Sequence, residues 1–334
     1  MARKTLVTNW VHPDVLDLLA TRGAVDANLS REPWPRAEII RRARDADAMM
    51  AFMTDHVDAA FLDACPNLRM VACALKGADN FDAEACRARG VALTIVPDLL
   101  TAPTAELTVG LMIALGRNLL AGDRLIRAEL FAGWRPVLYG MGLDGAEVGI
   151  VGMGAVGQAI AHRLRPFRCR ISYCERRPLT PAAEDALGLL RRDWPSLLAN
   201  SDYLVLALPL SGPSQHLVDA EALAAMKSGA LLINPARGSL VDEAAVADAL
   251  EHGHLGGYAA DVFETEDWAR PDRPSGIEPR LLSHPRTVLT PHIGSAVDRV
   301  RRDIALAAAR DIVRYLDGEP MAETLVSAFD RAMA

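Results

Sequence analysis

One glycine-rich segment constrains the fold of this chain more than any other feature. Residues 151–157 read VGMGAVG, which places three glycines in the spacing GxGxxG after a strand-like run and before a helix-like stretch. The first glycine permits a tight turn, the second lets a pyrophosphate approach the backbone, and the third lets the helix pack closely on the strand. The segment therefore predicts a dinucleotide-binding α/β unit. The predicted phosphate contacts are Gly152, Gly154 and Gly157, with the N–H groups of Ala155 and Val156.

An acid and two arginines follow the next strand-like run. Glu175 lies 18 residues beyond Gly157. A carboxylate at this place hydrogen-bonds the ribose hydroxyls and repels a 2′-phosphate, which favours NAD. Arg176 and Arg177 would favour NADP if they bind its 2′-phosphate. It is equally consistent with the sequence that both are solvated surface charges. We predict that NAD is the preferred cofactor and that NADP is also accepted.

Strand-like and helix-like segments alternate along the chain, which predicts an α/β fold with parallel strands. Four apolar runs lie in the first hundred residues. Six more follow from residue 147, the number expected of a doubly wound dinucleotide fold. The runs are 5–8, 48–53, 69–74, 91–96, 147–151, 170–174, 203–207, 231–234, 258–263 and 287–290, and the clearest helical segments are 13–20, 36–44, 104–120 and 296–316.

The last helical segment suggests how the chain is divided into domains. A helix at 296–316 needs a surface to pack on, and the first α/β unit is the natural one. We predict two Rossmann-like domains with an active-site cleft between them. One is a discontinuous substrate domain, or lid, of residues 1–98 and 295–334, and the other is an NAD-binding domain of residues 99–294. Two chain crossings, near residues 97 and 292, would form a hinge that excludes water from the cleft.

The composition excludes several classes of protein. A net charge of −7 argues against a nucleic-acid surface, and the longest apolar stretch, residues 109–115, is too short to span a bilayer. The N-terminus leads directly into a strand-like run, so no signal peptide is expected. Five cysteines without a CxxC pair fit free thiols in a reducing cytoplasm and predict no metal site. We expect a cytoplasmic protein without nucleic-acid or membrane partners.

Three polar residues stand just beyond the ends of late strand-like runs: Arg237, Glu266 and His292. The carboxyl ends of parallel strands meet at the ligand-binding edge of the sheet, so a cation, a carboxylate and an imidazole would meet there. Glu266 would orient His292 for proton exchange, and Arg237 would bind an anionic substrate. The alternatives are a structural histidine and a surface arginine. Asp261 is either a ladder residue or a group that holds the nicotinamide carboxamide.

These motifs resemble the D-2-hydroxyacid dehydrogenase family over nearly the whole chain. The matching segments are the glycine loop, 234–238 (NPARG), 261–266 (DVFETE) and 291–295 (PHIGS). The resemblance implies that Arg237, Glu266 and His292 are catalytic and that the protein is a homodimer of two-domain subunits. One departure is Asp267, because the family usually has proline after the catalytic glutamate.

A narrower resemblance is to the phosphite-oxidising members of this family. It is carried by segments 49–53 (MMAFM), 74–81 (ALKGADNF), 96–101 (VPDLLT), 257–261 (GYAAD) and 266–269 (EDWA). It implies that substrate is bound by Lys76, Gly77 and Arg237 with Met53 and Arg301 nearby. The implied cofactor contacts also include Lys76, Thr104, Ala207, Pro209, Pro235, Asp261 and His292.

Phosphite is a small dianion near neutral pH, so its binding calls for more than one cation, such as Lys76 and Arg237. The implied reaction transfers hydride from phosphorus to the nicotinamide, with water as the oxygen donor and His292 as the expected base. The alternative is a glyoxylate- or hydroxypyruvate-type D-2-hydroxyacid dehydrogenase, for which one cation and loop amides suffice. A third interpretation is a non-enzymatic NAD-sensing scaffold. Trp134 and Tyr139 either wall the site or belong to an interface.

Overall fold

The computed structural model describes residues 3–319. Within them the chain forms two units, the first from residues 3–100, 268–271 and 296–319, the second from residues 101–267 and 272–295. The short segment 268–271 belongs to the first unit, although the chain on both sides of it belongs to the second. The assignment of the units to substrate and cofactor stays a prediction.

The first unit is built on a parallel sheet of five strands in the order β2-β1-β3-β4-β5. The strands are β1 (Lys4–Val7), β2 (Ala24–Ala27), β3 (Ala48–Ala51), β4 (Met70–Cys73) and β5 (Ala92–Thr94). The helices are α1 (Pro13–Ala20), α2 (Arg36–Ala43), α3 (Ala59–Ala64), α4 (Ala83–Ala88) and, from the end of the described chain, α13 (Asp298–Leu316). The sequence pattern missed β2, because this edge strand is not fully buried and lacks an apolar run.

The long helix α13 packs within the first unit, against α1, β3 and β4. Its buried residues Ile304, Ala308 and Ile312 recur at four-residue spacing, which aligns them on one face of the helix. Small alanines at 305, 308 and 309 let the helix approach the sheet closely. The chain therefore returns to complete the core of the unit with which it began.

The second unit is built on a parallel sheet of seven strands in the order β12-β11-β10-β9-β6-β7-β8. The strands are β6 (Glu147–Val151), β7 (Arg170–Cys174), β8 (Leu189–Arg191), β9 (Tyr203–Leu206), β10 (Leu231–Asn234), β11 (Gly257–Ala260) and β12 (Thr287–Leu289). The helices are α5 (Thr101–Gly116), α6 (Leu119–Arg127), α7 (Ala155–Leu164), α8 (Pro181–Leu187), α9 (Trp194–Asn200), α10 (Ala220–Ala225), α11 (Glu243–Glu251) and α12 (Pro279–Ser283).

The strand order of the second unit reverses beside β6, whose neighbours are β7 and β9. Such a reversal opens a crevice at the carboxyl ends of the central strands, which is where doubly wound sheets bind ligands. The prediction of six strands is wrong by one. The missed strand, β8, is three residues long and mostly exposed at the sheet edge, so it shows no apolar run.

The prediction of a single helix over residues 104–120 is also wrong. The helix α5 ends at Gly116, and α6 begins at Leu119 after Asn118, which has a left-handed backbone (φ 53°). Asn118 stabilises the break by donating from Nδ2 to the carbonyls of Leu138 and Tyr139, each at 3.2 Å. In residues 3–319 no single helix is long and apolar enough to cross a membrane, although α5 and α6, bent by 62°, meet that test as a pair.

Candidate active site

The glycine loop joins β6 to α7 in a shape that only glycine allows. Gly152 has φ 91°, and a Cβ atom on it would lie 2.6 Å from the carbonyl oxygen of Ala207, just beyond β9. A Cβ on Gly157 would lie 2.3 Å from the carbonyl oxygen of Gly152. A Cβ on Gly154 would meet nothing within 4 Å, and no described side chain caps α7. The loop thus leaves open space in front of the helix N-terminus, which fits the pyrophosphate of a dinucleotide.

Glu175 follows β7 and braces this loop. Its Oε2 accepts a hydrogen bond from the backbone N–H of Met153 (3.0 Å), and its Oε1 accepts one from Arg176 (2.8 Å). The side chains of Arg176 and Arg177 are exposed. Arg191 on β8 is a further cation here, since its Nη2 donates to the carbonyl of Glu175 at 3.3 Å. The sequence interpretation missed Arg191 because it missed the strand that carries it.

His292 and Glu266 are hydrogen-bonded. Nδ1 of His292 lies 2.6 Å from Oε2 of Glu266, while Oε1 of the same carboxylate accepts the N–H of Phe263 at 2.8 Å. Both side chains are about a quarter exposed. A carboxylate on Nδ1 fixes the imidazole tautomer, so that Nε2 is the nitrogen presented for proton exchange. The pair has the chemistry of an oriented general acid or base.

Asp261 at the end of β11 holds the turn that carries His292. Its Oδ1 accepts hydrogen bonds from Thr290 Oγ1 (2.6 Å) and the N–H of Ile293 (2.8 Å), and its Oδ2 accepts the N–H of Gly294 (2.7 Å). The N–H of His292 donates to the carbonyl of Asp261 at 2.8 Å. Burial raises the pKa of the Asp261 carboxyl. The N–H of Asp261 also donates to the Asn234 carbonyl at 3.0 Å, as a ladder residue would, and its contact with the nicotinamide carboxamide stays a prediction.

Arg237 lies in a sharp turn after β10 that Asn234 supports. The side chain of Asn234 donates to the carbonyl of Arg237 (2.8 Å) and accepts the N–H of Ala236 (3.1 Å). A Cβ on the next residue, Gly238, would lie 1.9 Å from the carbonyl carbon of Phe263. The Arg237 turn therefore packs directly on the turn that carries Glu266.

The remaining predicted residues lie in both units. In the first unit Lys76 and Gly77 follow β4, Met53 follows β3, and Asn80 Nδ2 joins the two loops by donating to the Met53 carbonyl at 3.5 Å. Arg301 lies on α13, where burial lowers the pKa of its guanidinium group. In the second unit Thr104 lies on α5, Ala207 and Pro209 follow β9, and Pro235 follows β10.

The aromatic side chains of Trp134 and Tyr139 are exposed in the described second unit. Their exposed fractions are 83% and 78%. They lie on a segment after α6 that also exposes several large apolar side chains, and this segment borders a groove of about 410 Å³. Exposed apolar residues in such a cluster are typical of a protein interface.

Comparison with known proteins identifies relatives over both units. Residues 109–294 match the model of the D-isomer specific 2-hydroxyacid dehydrogenase NAD-binding domain. The glyoxylate reductase of Thermococcus kodakarensis is 35% identical over 324 residues, which is 96% of this chain and 95% of that protein.

Solved structures show the same fold. A protein of Thermus thermophilus superposes with a TM-score of 0.86 at 35% identity, covering 96% of this chain and 99% of the other. An NADPH-dependent glyoxylate/hydroxypyruvate reductase of Sinorhizobium meliloti, solved with NADP and malonate, has a TM-score of 0.83 at 28% identity, with 97% of each chain covered.

Proposed function

Because the chain belongs to the D-isomer specific 2-hydroxyacid dehydrogenase family, we propose that it interconverts a small 2-oxo acid of the glyoxylate or hydroxypyruvate type and the corresponding 2-hydroxy acid. The observation that carries this proposal is the 2.6 Å contact between His292 and Glu266, in a unit whose glycine loop fits a dinucleotide. The glyoxylate reductases among its relatives support the substrate class.

The proposed mechanism divides three tasks among three side chains. Bound NAD supplies the nicotinamide that exchanges the hydride. The Arg237 guanidinium binds the substrate carboxylate, for which its planar donors are suited. Nε2 of His292 gives a proton to the substrate oxygen during reduction and takes it back during oxidation. Glu266 keeps the imidazole in the required tautomer and stabilises its charged form.

The test follows NADH absorbance with glyoxylate, hydroxypyruvate, pyruvate and their hydroxy acids. His292→Ala should lower kcat by about a hundredfold or more, the contribution typical of general acid–base catalysis, while NADH still binds. A matched control is His252→Ala, at the exposed C-terminus of α11. Unchanged turnover in His292→Ala would refute the mechanism. NADH binding without turnover of any tested substrate would favour a sensing scaffold.

Phosphite oxidation is the second candidate. The observation that favours it is a second cation, Lys76, which lies just beyond the carboxyl end of β4. A substrate with one carboxylate would need only Arg237. Phosphite with NAD should then yield NADH, and Lys76→Ala should raise the KM for phosphite. Lys227→Ala, which removes an exposed lysine paired with Asp202, is the control. Absence of NADH with phosphite, together with reduction of glyoxylate, would exclude this candidate.

We further propose that NADP is accepted beside NAD. Glu175 favours a free ribose hydroxyl, but Arg176, Arg177 and Arg191 place three guanidinium groups on or next to its loop. Guanidinium groups bind phosphate through paired donors. An NADPH-dependent reductase among the structural relatives is consistent with this. The ratio of kcat/KM for NADH and NADPH, measured with one oxo acid, tests it.

A homodimer is the proposed assembly, formed through the exposed segment between residues 119 and 139. The segment carries both protruding apolar side chains and the groove of about 410 Å³ beside them. A twofold contact needs a self-complementary surface, and a surface with both protrusions and a groove offers the parts of one. The exposed apolar residues are Leu119, Leu120, Ile126, Leu130, Phe131, Trp134, Val137, Leu138 and Tyr139. A monomer in sedimentation analysis would contradict the proposal.

A further inference from the structure

The turns that carry Arg237 and Glu266 are joined by a buried carboxylate, that of Asp267. Its Oδ2 accepts a hydrogen bond from the N–H of Ser239 at 2.8 Å and a second, short one from the Ser239 hydroxyl. Ser239 is 0% exposed and Asp267 5% exposed. Hydrogen bonds to a carboxylate in such surroundings are shorter and stronger than those between neutral groups.

This contact lies next to two of the proposed catalytic residues. Ser239 lies in the 3-10 turn Gly238–Leu240, which begins directly after Arg237. Asp267 ends the 3-10 turn Glu264–Glu266, and its own N–H donates to the carbonyl of Glu264 at 3.2 Å. The contact therefore joins Ser239, two residues after the proposed substrate-binding Arg237, to Asp267, one residue after Glu266, the partner of His292.

Side-chain hydrogen bonds join the two turns in addition to the backbone contact at Gly238. Gly238 lies against Phe263 without a side chain between them, and such a contact resists approach but not sliding. The oxygen of Asp267, with two donors from one residue, supplies directional bonds that oppose sliding. The Ser239 carbonyl accepts the N–H of His216 at 2.7 Å, and Nε2 of His216 lies 2.8 Å from Oε2 of Glu264. His216 is therefore a second link between Ser239 and the turn that carries Glu266.

We propose that Asp267 is a positioning residue that, through Ser239, sets the Arg237 guanidinium relative to the Glu266–His292 pair. The inference rests on the proposed function of these three residues. In this proposal Asp267 supplies the link between the two turns that lies nearest to both Arg237 and Glu266.

The first arm of the test needs no substrate. Hydrogen–deuterium exchange of the peptide containing residues 237–240 should be faster in Asp267→Ala, because the Ser239 N–H loses its acceptor. Asp193→Ala is the matched control, since it removes a carboxylate that accepts one backbone N–H, at the start of α9, away from both turns. Unchanged exchange in Asp267→Ala would overturn the proposal, whether or not the oxo-acid activity exists.

The second arm measures steady-state kinetics with the oxo acid or phosphite, whichever the wild-type protein turns over. Asp267→Ala should lower kcat/KM by about tenfold to a hundredfold, the loss typical of a displacement of about 1 Å at the reacting groups. The dissociation constant of NADH should stay within about twofold, because the glycine loop is not involved. Asp267→Asn keeps an acceptor oxygen and should lose less activity.

Ser239→Ala completes the test by removing only the hydroxyl. The Asp267→Ala/Ser239→Ala double variant should be no worse than Asp267→Ala, since both changes break the same contact. Additive losses would overturn the proposal. So would a kcat/KM within about twofold of wild type, or a parallel loss of NADH affinity, which would indicate general damage to the second unit.

Discussion

Replacing Gly238 with alanine tests the packing of the Arg237 turn on the Glu266 turn. The added Cβ would lie 1.9 Å from the carbonyl carbon of Phe263 and 2.2 Å from the backbone nitrogen of Glu264. Ordinary contact begins near 3.4 Å, so the two turns must separate by about 1.5 Å. Neither side can relieve the clash by rotating a side chain, because backbone atoms lie on both sides.

The expected loss follows from this distance. A displacement of about 1 Å at the reacting groups costs about a hundredfold in rate, so Gly238→Ala should lower kcat/KM with the oxo acid by a hundredfold or more. Overpacking of this kind also destabilises the fold by about 1–3 kcal/mol. The affinity for NADH should change far less, because the glycine loop follows a different strand, β6.

The assay compares kcat/KM from NADH absorbance, the NADH dissociation constant from fluorescence and the Tm of each variant. Gly142→Ala is the matched control, because a Cβ at Gly142 meets nothing within 4 Å. It should behave like the wild type in all three measurements. A Gly238→Ala variant with kcat/KM within about twofold of wild type and an unchanged Tm would refute the packing of the two turns.

Three further predictions concern other parts of the chain. Burial raises the pKa of Asp55 to about 6, so its contribution to the free energy of unfolding is largest below its ordinary value of 3.8 and is lost as the pH rises through about 6. The difference is about 3 kcal/mol, and Asp55→Asn should flatten this part of the stability profile from pH 4 to 8. Neutral replacement of Arg176 and Arg177 should raise the KM for NADP about tenfold, the equivalent of one hydrogen bond to a charged group, and the KM for NAD less. Equal changes would indicate plain surface charges. Trp134→Glu should weaken the proposed dimer by about 2 kcal/mol or more in sedimentation analysis, and an unchanged mass would contradict that interface.

The fold class could be predicted from the sequence because buried parallel strands read as apolar runs. The runs at 147–151, 170–174 and 231–234 coincide with β6, β7 and β10. The two missed strands, Ala24–Ala27 and Leu189–Arg191, lie at sheet edges, where burial no longer imposes an apolar pattern. The break between α5 and α6 was missed because it depends on the side chain of Asn118 reaching a loop twenty residues away.

The candidate site could be located for a similar reason, since Arg237, Glu266 and His292 all follow strand ends of one parallel sheet. What the sequence could not give is the set of contacts that hold their turns. The bonds from Asp261 to residues 290–294 and from Asp267 to Ser239 join segments that are distant along the chain. No local pattern distinguishes these carboxylates from solvated ones.

The three proposed catalytic side chains depend on two different anchors. His292 has a left-handed backbone (φ 54°), which costs about 1–2 kcal/mol for a residue other than glycine. The hydrogen bonds of its turn to Asp261 offset that cost, and they also offset the burial that raises the pKa of this carboxyl. The turns that carry Arg237 and Glu266 instead meet at the Gly238 contact and at the hydrogen bond from Ser239 to Asp267. Loss of the hydrogen bonds to Asp261 should therefore impair proton transfer by His292 first. Loss of the hydrogen bonds to Asp267 should instead impair the alignment of the anion bound by Arg237.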